Sequence, residues 1–355
     1  MRALVLEANT QFRYHADYPV PPAPPVGLGV ENCVKVRVAA CGVCGSDIPR
    51  AFANGAYHHP LVLGHEFSGV VEQDGVLRKR GDRVTIFPLV PRPGEKSFDT
   101  GDYAQTTNYD YFGSRRDGGL GEFVVVPERN LLLVPAHVPL LHAACVEPAA
   151  VALHGVRKMR VQAGDSAAVF GAGPIGNLVA QWLRLSGCTR VFVVDVDARK
   201  LDLVAGLGCI PINPATGGDA VQQIRAATNG EGVQRVVEAV GLPQTFLQAT
   251  QVAAAFGEVV FMGNIHGEFR IGEKDFSSIL RRELTIYGTW NSKIVPTGTD
   301  DWSAVLKFMD RGLEIAPMIS DTPTLEQGPE IFASIHGRKA WHHKVIFRVS
   351  PEICG

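Results

Sequence analysis

The stretch Ser166-Ala-Ala-Val-Phe-Gly-Ala-Gly-Pro-Ile-Gly176 decides the fold of this chain. An apolar run ends at Phe170, and three glycines follow in the spacing G-x-G-x-x-G. The first glycine suits a tight turn. The second lets a backbone approach a pyrophosphate, and the third permits close packing of helix on strand. Leu178, Val179, Trp182, Leu183 and Leu185 then recur at helical spacing, which predicts a helix over 177–186. A second apolar run, Arg190 to Asp195, ends in a carboxylate 24 residues after Gly171. A carboxylate there hydrogen-bonds ribose hydroxyls and repels a 2′-phosphate, so the pattern favours NAD over NADP. Lys200 can bond the ribose beside Asp195, and Arg199 and Lys200 are the residues that could instead accept a phosphate. Gly171, Gly173, Pro174, Ile175 and Gly176 are the expected pyrophosphate contacts, facing the positive end of the helix. Val240 and Met262, at the ends of later strands, are the expected nicotinamide-side contacts.

Outward from this stretch, strand and helix alternate over about 130 residues, with further strands at 232–239, 257–262 and 284–288. That rhythm predicts a doubly wound parallel sheet. Upstream, short β-branched runs at 3–6, 33–39, 67–72, 82–86 and 122–126 are punctuated by Gly and Pro and predict a β-rich domain. The five prolines of Pro19–Pro25 form an extended connector too short to separate domains. The expected boundaries are 1–150 for the β-rich domain and 151–292 for the dinucleotide domain. The segment 293–355, with a helix at 302–310 and a strand at 344–349, is expected to rejoin the first. His342-His343 near the C-terminus reads as a solvated turn.

The 355 residues are 46% hydrophobic and 20% charged, with net charge −2. This balance argues against a disordered chain and against a general nucleic-acid binder. The first residues carry no apolar signal core, and no run approaches the roughly 18 residues of a membrane span. Seven scattered cysteines, an odd number, argue against a disulfide framework. A reducing, cytoplasmic setting is the expectation.

Only Cys41 and Cys44 have metal-like or redox-like spacing. Cys44 lies in Cys41-Gly-Val-Cys-Gly-Ser-Asp47, His65-Glu66 follow in Leu63-Gly-His-Glu-Phe67, and Glu147 precedes Pro148. A catalytic zinc needs about three protein ligands and one open position. Thiolate, imidazole and carboxylate suit that demand, although each residue alone reads as a buried thiol, a turn histidine or a helix start. A thioredoxin-like Cys41/Cys44 pair would open a helix after a strand, and the neighbouring histidine and glutamates argue against it.

Together these residues resemble the zinc-dependent medium-chain alcohol and polyol dehydrogenases. The carrying motifs are Gly-Val-Cys44-Gly-Ser-Asp, Gly64-His65-Glu66, Asp117-Gly-Gly-Leu-Gly-Glu-Phe123, Glu147-Pro148 and the GAGPIG turn with Asp195. The resemblance implies an α/β chain: a GroES-like β-rich catalytic domain plus a Rossmann doubly wound domain, with the active site in the cleft between them. It implies one catalytic zinc per chain, held by Cys44, His65 and Glu147, with Glu66 as a nearby or exchanging ligand. Ser46 would take the substrate's proton. The relay histidine of simple alcohol dehydrogenases falls on Pro49, so solvent or Glu147-bound water must take over. The glutamate of Glu147-Pro148 is typical of the polyol branch.

Tyr109–Gly119, Asn54–Pro60 and Ile279–Thr285 narrow the resemblance toward members acting on polyol phosphates. Arg115 and Arg116 are the expected anion contacts, with Lys293 as a second candidate; the alternative is that the arginines pin the Asp117-Gly-Gly turn. The four cysteines of the family's structural zinc lobe fall on Arg92, Glu95, Phe98 and Thr106, none of which supplies a thiolate.

The expected reaction is reversible oxidation of a secondary alcohol of a polyol or polyol phosphate to a ketose, with NAD. The expected partner is a small molecule, not nucleic acid or membrane, and the expected assembly is a homodimer or homotetramer. Alternatives are a free-polyol or sugar-acid dehydrogenase, a zinc-free quinone or enone reductase, and a dinucleotide-binding regulatory or lens-type protein.

Overall fold

The computed structural model describes residues 1–22, 32–53, 55–92, 100–106, 108–295, 298–309 and 311–354. Pro24, Pro25, Asn54, Glu95, Phe98 and Asp310 lie outside the described residues. The chain divides into two compact units: Met1–Glu147, Lys293–Asp310 and Ile315–Gly355 form one, and Pro148–Ser292 with Arg311–Glu314 the other.

The first unit is β-rich. Its strands are β1 (Ala3–Ala8), β2 (Gln11–His15), β3 (Cys33–Gly42), β4 (Leu61–Val62), β5 (Glu66–Val71), β6 (Arg83–Ile86), β7 (Leu89–Val90), β8 (Asp110–Tyr111), β9 (Phe123–Pro127) and β10 (Leu131–Leu133). β3 alternates Val34, Val36 and Val38 inward, all fully buried, as a β-branched strand with one core face should. It is the hub, pairing antiparallel with both β5 and β9. A short helix, α1 (Asp47–Phe52), follows β3, and α2 (Val146–Val156) carries Glu147 in its first turn.

The second unit is a parallel sheet of β11 (Ser166–Phe170), β12 (Arg190–Val194), β13 (Ile210–Ile212), β14 (Val233–Glu238), β15 (Ala253–Phe261) and β16 (Thr285–Gly288). Among the described residues its order is β13-β12-β11-β14-β15-β16, every neighbour parallel. The chain reverses direction of travel between β11 and β14, which opens a crevice at their carboxyl ends. Helix α3 (Pro174–Leu185) starts three residues before the apolar spacing predicts. The reason is Pro174: its fixed φ and missing N–H suit the first helical position. α3 buries Leu178, Val179, Trp182 and Leu183, each contributing roughly 1.5–3 kcal/mol. α4 (Ala198–Gly206) is capped by Asp197, whose carboxylate accepts the Arg199 N–H at 3.0 Å.

Further elements include α5 (Glu273–Arg281) in the second unit, and α6 (Asp301–Phe308), β17 (Ile319–Asp321), α7 (Gly328–Gly337) and β18 (Lys344–Arg348) in the first. β18 pairs antiparallel with β3, placing Ile346 opposite Gly42. The His342-His343 expectation fails. His343 is buried and His342 is nearly so, because both rings bond inward, to the Met318 carbonyl and to Asp321. All seven cysteines are free thiols.

Candidate active site

Two segments of the β-rich unit converge. Cys44 sits in the turn from β3 into α1, where the Asp47 N–H donates to the Cys44 carbonyl at 3.0 Å. His65 and Glu66 open β5 immediately after Gly64, which has φ +93. Gly64 needs that conformation and that bareness, since a Cβ there would lie 2.4 Å from Cys41 Sγ. Cys44, His65 and Glu66 bring one ligand atom each within 4.8 Å of one another.

Asp47 organises this group. It is fully buried. Its Oδ2 accepts the Cys44 N–H at 3.0 Å, and its Oδ1 lies 3.1 Å from Arg50 Nη1 and 3.5 Å from His65 Nδ1. A carboxylate facing Nδ1 leaves Nε2 of His65 as the ligating nitrogen. Burial opposes ionisation of Asp47, but His65 and Arg50 outweigh it and hold its pKa below the usual range. Burial likewise opposes charge on His65, yet Asp47 and Cys44 keep its pKa well above the ordinary value. Such a proton is what a cation displaces on binding.

Glu66 is ion-paired with Lys344, whose Nζ also donates to the Val43 carbonyl at 3.1 Å. Both side chains are 2% exposed. Burial would lower the Lys344 pKa, but Glu66 raises it further, so the ammonium keeps its charge. Glu147 is buried beside this group, and the Tyr111 hydroxyl lies 3.5 Å from its Oε1. Burial, the largest influence, pushes its carboxyl up to about 7 despite the favourable helix end. The Ser46 hydroxyl is exposed and donates to Cys44 Sγ at 3.3 Å. Thus Cys44, His65 and Glu66 form the tight group, with Glu147 and Ser46 at its margin.

The predicted anion residues separate. Arg116 lies 3.4 Å from Asp110 and over the Phe112 ring. Lys293 is ion-paired with Asp102 at 2.6 Å. Arg115 differs: its guanidinium lies over the rings of Tyr109 and Tyr57, 4.4 and 5.0 Å from their centres, and its Nη1 donates to the Tyr109 carbonyl. Among the described residues no carboxylate lies within ion-pair distance of it. Tyr109 touches Tyr111, and Tyr111 meets His65 edge-on at 5.6 Å, so aromatic rings lead from Arg115 to the metal-type group. Pro49 is exposed on α1.

In the parallel-sheet unit, Gly171 has φ +99, and a Cβ on Gly176 would lie 1.9 Å from the Gly171 carbonyl oxygen. A Cβ on Gly173 would meet nothing within 4 Å. That is open space beside the helix N-terminus, the form of a phosphate cradle. Pro174 and Ile175 form the first turn of α3. Asp195 accepts the Ala172 N–H at 2.8 Å and the Asp197 N–H at 2.9 Å, and Lys200 Nζ lies 4.0 Å from it. Arg199 is clamped onto Asp197, not Asp195. Val240 is 39% exposed, and its Cγ2 approaches Gly171. The Met262 methyl lies against Gly155. Buried Glu238 holds the Val240 turn, its Oε1 accepting the N–H groups of Val240 and Gly241 and the Thr245 hydroxyl.

Sequence reasoning missed Lys344, Arg50, Tyr111 and Glu238, and gave Asp47 no role. Asp47 alone had a local signal, three residues after Cys44. Lys344 reaches Glu66 across a separation of 278 residues.

Comparison with known proteins places the chain in a class. Residues 174–311 match the model described as zinc-binding dehydrogenase, and residues 30–136 the alcohol dehydrogenase GroES-like domain. The chain belongs to this family of medium-chain alcohol and polyol dehydrogenases and is an oxidoreductase. It is 32% identical to galactitol 1-phosphate 5-dehydrogenase of Escherichia coli K12, over 88% of this chain and 91% of that one. It is 34% identical to (R,R)-butanediol dehydrogenase of Bacillus subtilis 168, over 79% and 81%. The crystal structure of galactitol-1-phosphate dehydrogenase from Escherichia coli matches with TM-score 0.89 at 30% identity, over 98% of this chain and 100% of that one. A Sinorhizobium meliloti 1021 structure, assigned as a zinc-binding dehydrogenase and bound to NADP, matches with TM-score 0.86 at 29% identity, over 98% and 99%. No described helix is long and apolar enough to cross a membrane.

Proposed function

We propose that this protein is a zinc-dependent NAD oxidoreductase that converts a secondary alcohol of a polyol phosphate to a ketose. The Arg115 guanidinium, which has no carboxylate partner among the described residues, carries the substrate assignment. A phosphate offers it bidentate acceptors while the two tyrosine rings hold its plane. Arg116 and Lys293 have carboxylate partners, so they support the reading less. One guanidinium also suffices for a carboxylate, which makes a sugar acid the second reading.

The donor set fits zinc. Thiolate, imidazole and carboxylate ligands within 4.8 Å, with a carboxylate behind the imidazole, suit a site with one open position. Cys44, His65 and Glu66 would hold the ion in the arrangement seen, with Glu147 as the neighbouring donor. Gly171, Gly173, Pro174, Ile175 and Gly176 would cradle the pyrophosphate, and Asp195 with Lys200 the ribose. Val240 and Met262 would border the nicotinamide. Arg199 is committed to Asp197, which favours NAD over NADP. Bound zinc would supply Lewis acidity for the substrate hydroxyl, and the nicotinamide an acceptor for hydride. Ser46 Oγ would accept the hydroxyl proton. Ser46 is exposed, so its own hydroxyl proton would pass on to solvent.

The thiolate-free positions at Arg92, Glu95, Phe98 and Thr106 support one zinc per chain. A homodimer or homotetramer is supported by the edge strand β16 and by exposed Phe276, Leu280 and Trp290 nearby in sequence. A cytoplasmic location accords with seven free thiols.

The test is a panel of polyols, their phosphates and the matching sugar acids, read by NADH absorbance with metal analysis of the same sample. Polyol phosphates should give the highest kcat/KM, with one zinc per chain. Equal turnover of free polyols removes the phosphate assignment. Full activity without bound metal removes the zinc assignment.

A further inference from the structure

The C-terminal segment contains a hydrogen-bonded chain of three side chains that alcohol oxidation does not use. Ser334 lies on α7, and its Oγ is 2.9 Å from Nε2 of His342. Nδ1 of His342 is 2.8 Å from Oδ2 of Asp321, at the end of β17. The Ser320 hydroxyl donates to the same Oδ2 at 2.6 Å and accepts the His343 N–H at 2.9 Å. The carboxylate is therefore fixed from two sides.

An ionised carboxylate only accepts, so the nitrogen facing Asp321 carries the ring proton. Nε2 then has its lone pair toward Ser334 and accepts the Oγ–H. A hydroxyl, a base within hydrogen-bond reach and a third group orienting that base are the parts of an activated nucleophile. The group is near the surface: the His342 side chain is 10% exposed, Asp321 31%, and Ser334 is half-buried. A small reagent can reach it.

We propose that Ser334 is a nucleophilic acylation site, taking acyl groups carried on good leaving groups such as thioesters, acyl phosphates or aryl esters. The bond from Ser334 Oγ to the acyl carbon forms, and the bond from that carbon to the leaving group breaks. The Ser334 proton passes to His342 Nε2 and departs with the leaving group, so no oxidant or reductant takes part. Ser334 sits inside a helix, where its own N–H belongs to the helical ladder and is not offered to an oxyanion. The site is thereby restricted to activated acyl groups, and the product is an acylated protein, not a turnover cycle.

The experiment treats the full-length protein with p-nitrophenyl acetate, follows nitrophenol release and maps the acetyl group by peptide mass spectrometry. The expected result is one acetyl per chain on Ser334, absent in Ser334→Ala. His342→Ala should slow labelling of Ser334 at least about 100-fold. Asp321→Asn keeps the side-chain shape, so it tests the relay even if His342→Ala fails to fold. It should also slow labelling while leaving the thermal midpoint near that of the parent. Acetyl groups found only on lysines or cysteines, or Ser334 labelled at the parental rate in Asp321→Asn, overturn the proposal.

Discussion

Replacing Asp47 with asparagine keeps its shape and removes its charge, at a point where three contacts meet. Oδ2 accepts the Cys44 N–H, and Oδ1 serves Arg50 and His65. An amide has one accepting oxygen, so one side of this arrangement must lose its acceptor. Groups that orient a ligating imidazole are worth about 10–100-fold in metal affinity, or roughly 1.4–2.7 kcal/mol. A second effect has the opposite sign. Burial disfavours charge on His65, but Asp47 and Cys44 reverse this and retain a proton that zinc must displace. Asp47→Asn loosens that proton and so weakens its competition. Proton competition fades as pH rises, whereas the orienting loss does not. Zinc affinity in Asp47→Asn should therefore fall by the full about 10–100-fold near pH 9 and by less near pH 6. The assay is competition with a chromophoric zinc chelator at both pH values. An affinity within about 3-fold of the parent near pH 9, or a greater loss near pH 6, refutes the coupling of Asp47 to His65.

Chelator-treated protein should lose thermal stability as pH rises from about 4.5 through about 7. Glu147 and His65 both have folded pKa values above their unfolded ones, so their contribution is present below the unfolded values and lost above the folded ones. Glu147→Gln should flatten that decline, and a midpoint that rises over this range contradicts the assignment. Lys344→Met leaves Glu66 buried without its partner and should destabilise the metal-free β-rich unit by about 3–5 kcal/mol, with Glu66→Gln added to it restoring most of the loss in denaturant titrations. Gly176→Ala forces a methyl against the Gly171 carbonyl and should cut NADH affinity at least about 10-fold by fluorescence titration; unchanged affinity would place the cofactor elsewhere. Arg115→Ala should raise KM for a polyol phosphate about 10–100-fold while leaving free-polyol KM unaltered, and Arg116→Ala should change it less.

The sheet was legible because its information is local. The apolar run into Phe170, the three glycines and Asp195 fall within 30 residues, and each has a backbone reason to be where it is. The strand rhythm placed β11 over the residues where the structure shows it. The metal-type group was legible only by residue type and resemblance, since spacing does not bring Cys44 to His65. The structure also orders the carboxylates otherwise than the resemblance implied, and it separates two arginines that the sequence left equal. Glu66 joins the tight group and Glu147 stands beside it. Arg115 is free of carboxylates among the described residues, and Arg116 is not. Such distinctions depend on where a long side chain finds its partner, which no periodicity encodes. His342 shows the same limit, because two polar rings beside a lysine look solvated until Asp321 and Ser334 are found around them.

The pairing of β18 with β3 bears on biogenesis. The nicotinamide-type unit is nearly continuous, so a chain still emerging from the ribosome can complete it once residue 314 has left the exit tunnel, before β18 has. The β-rich unit cannot be completed then. Its central strand waits for Lys344–Arg348, and the Glu66 carboxylate stays without its ammonium until Lys344 has been made. A nonsense codon near residue 340 would thus yield a chain that retains every donor of the thiol–imidazole–carboxylate group and lacks the counter-charge and the strand that hold it. Metal loading would thus depend on residues 344–348 having been made.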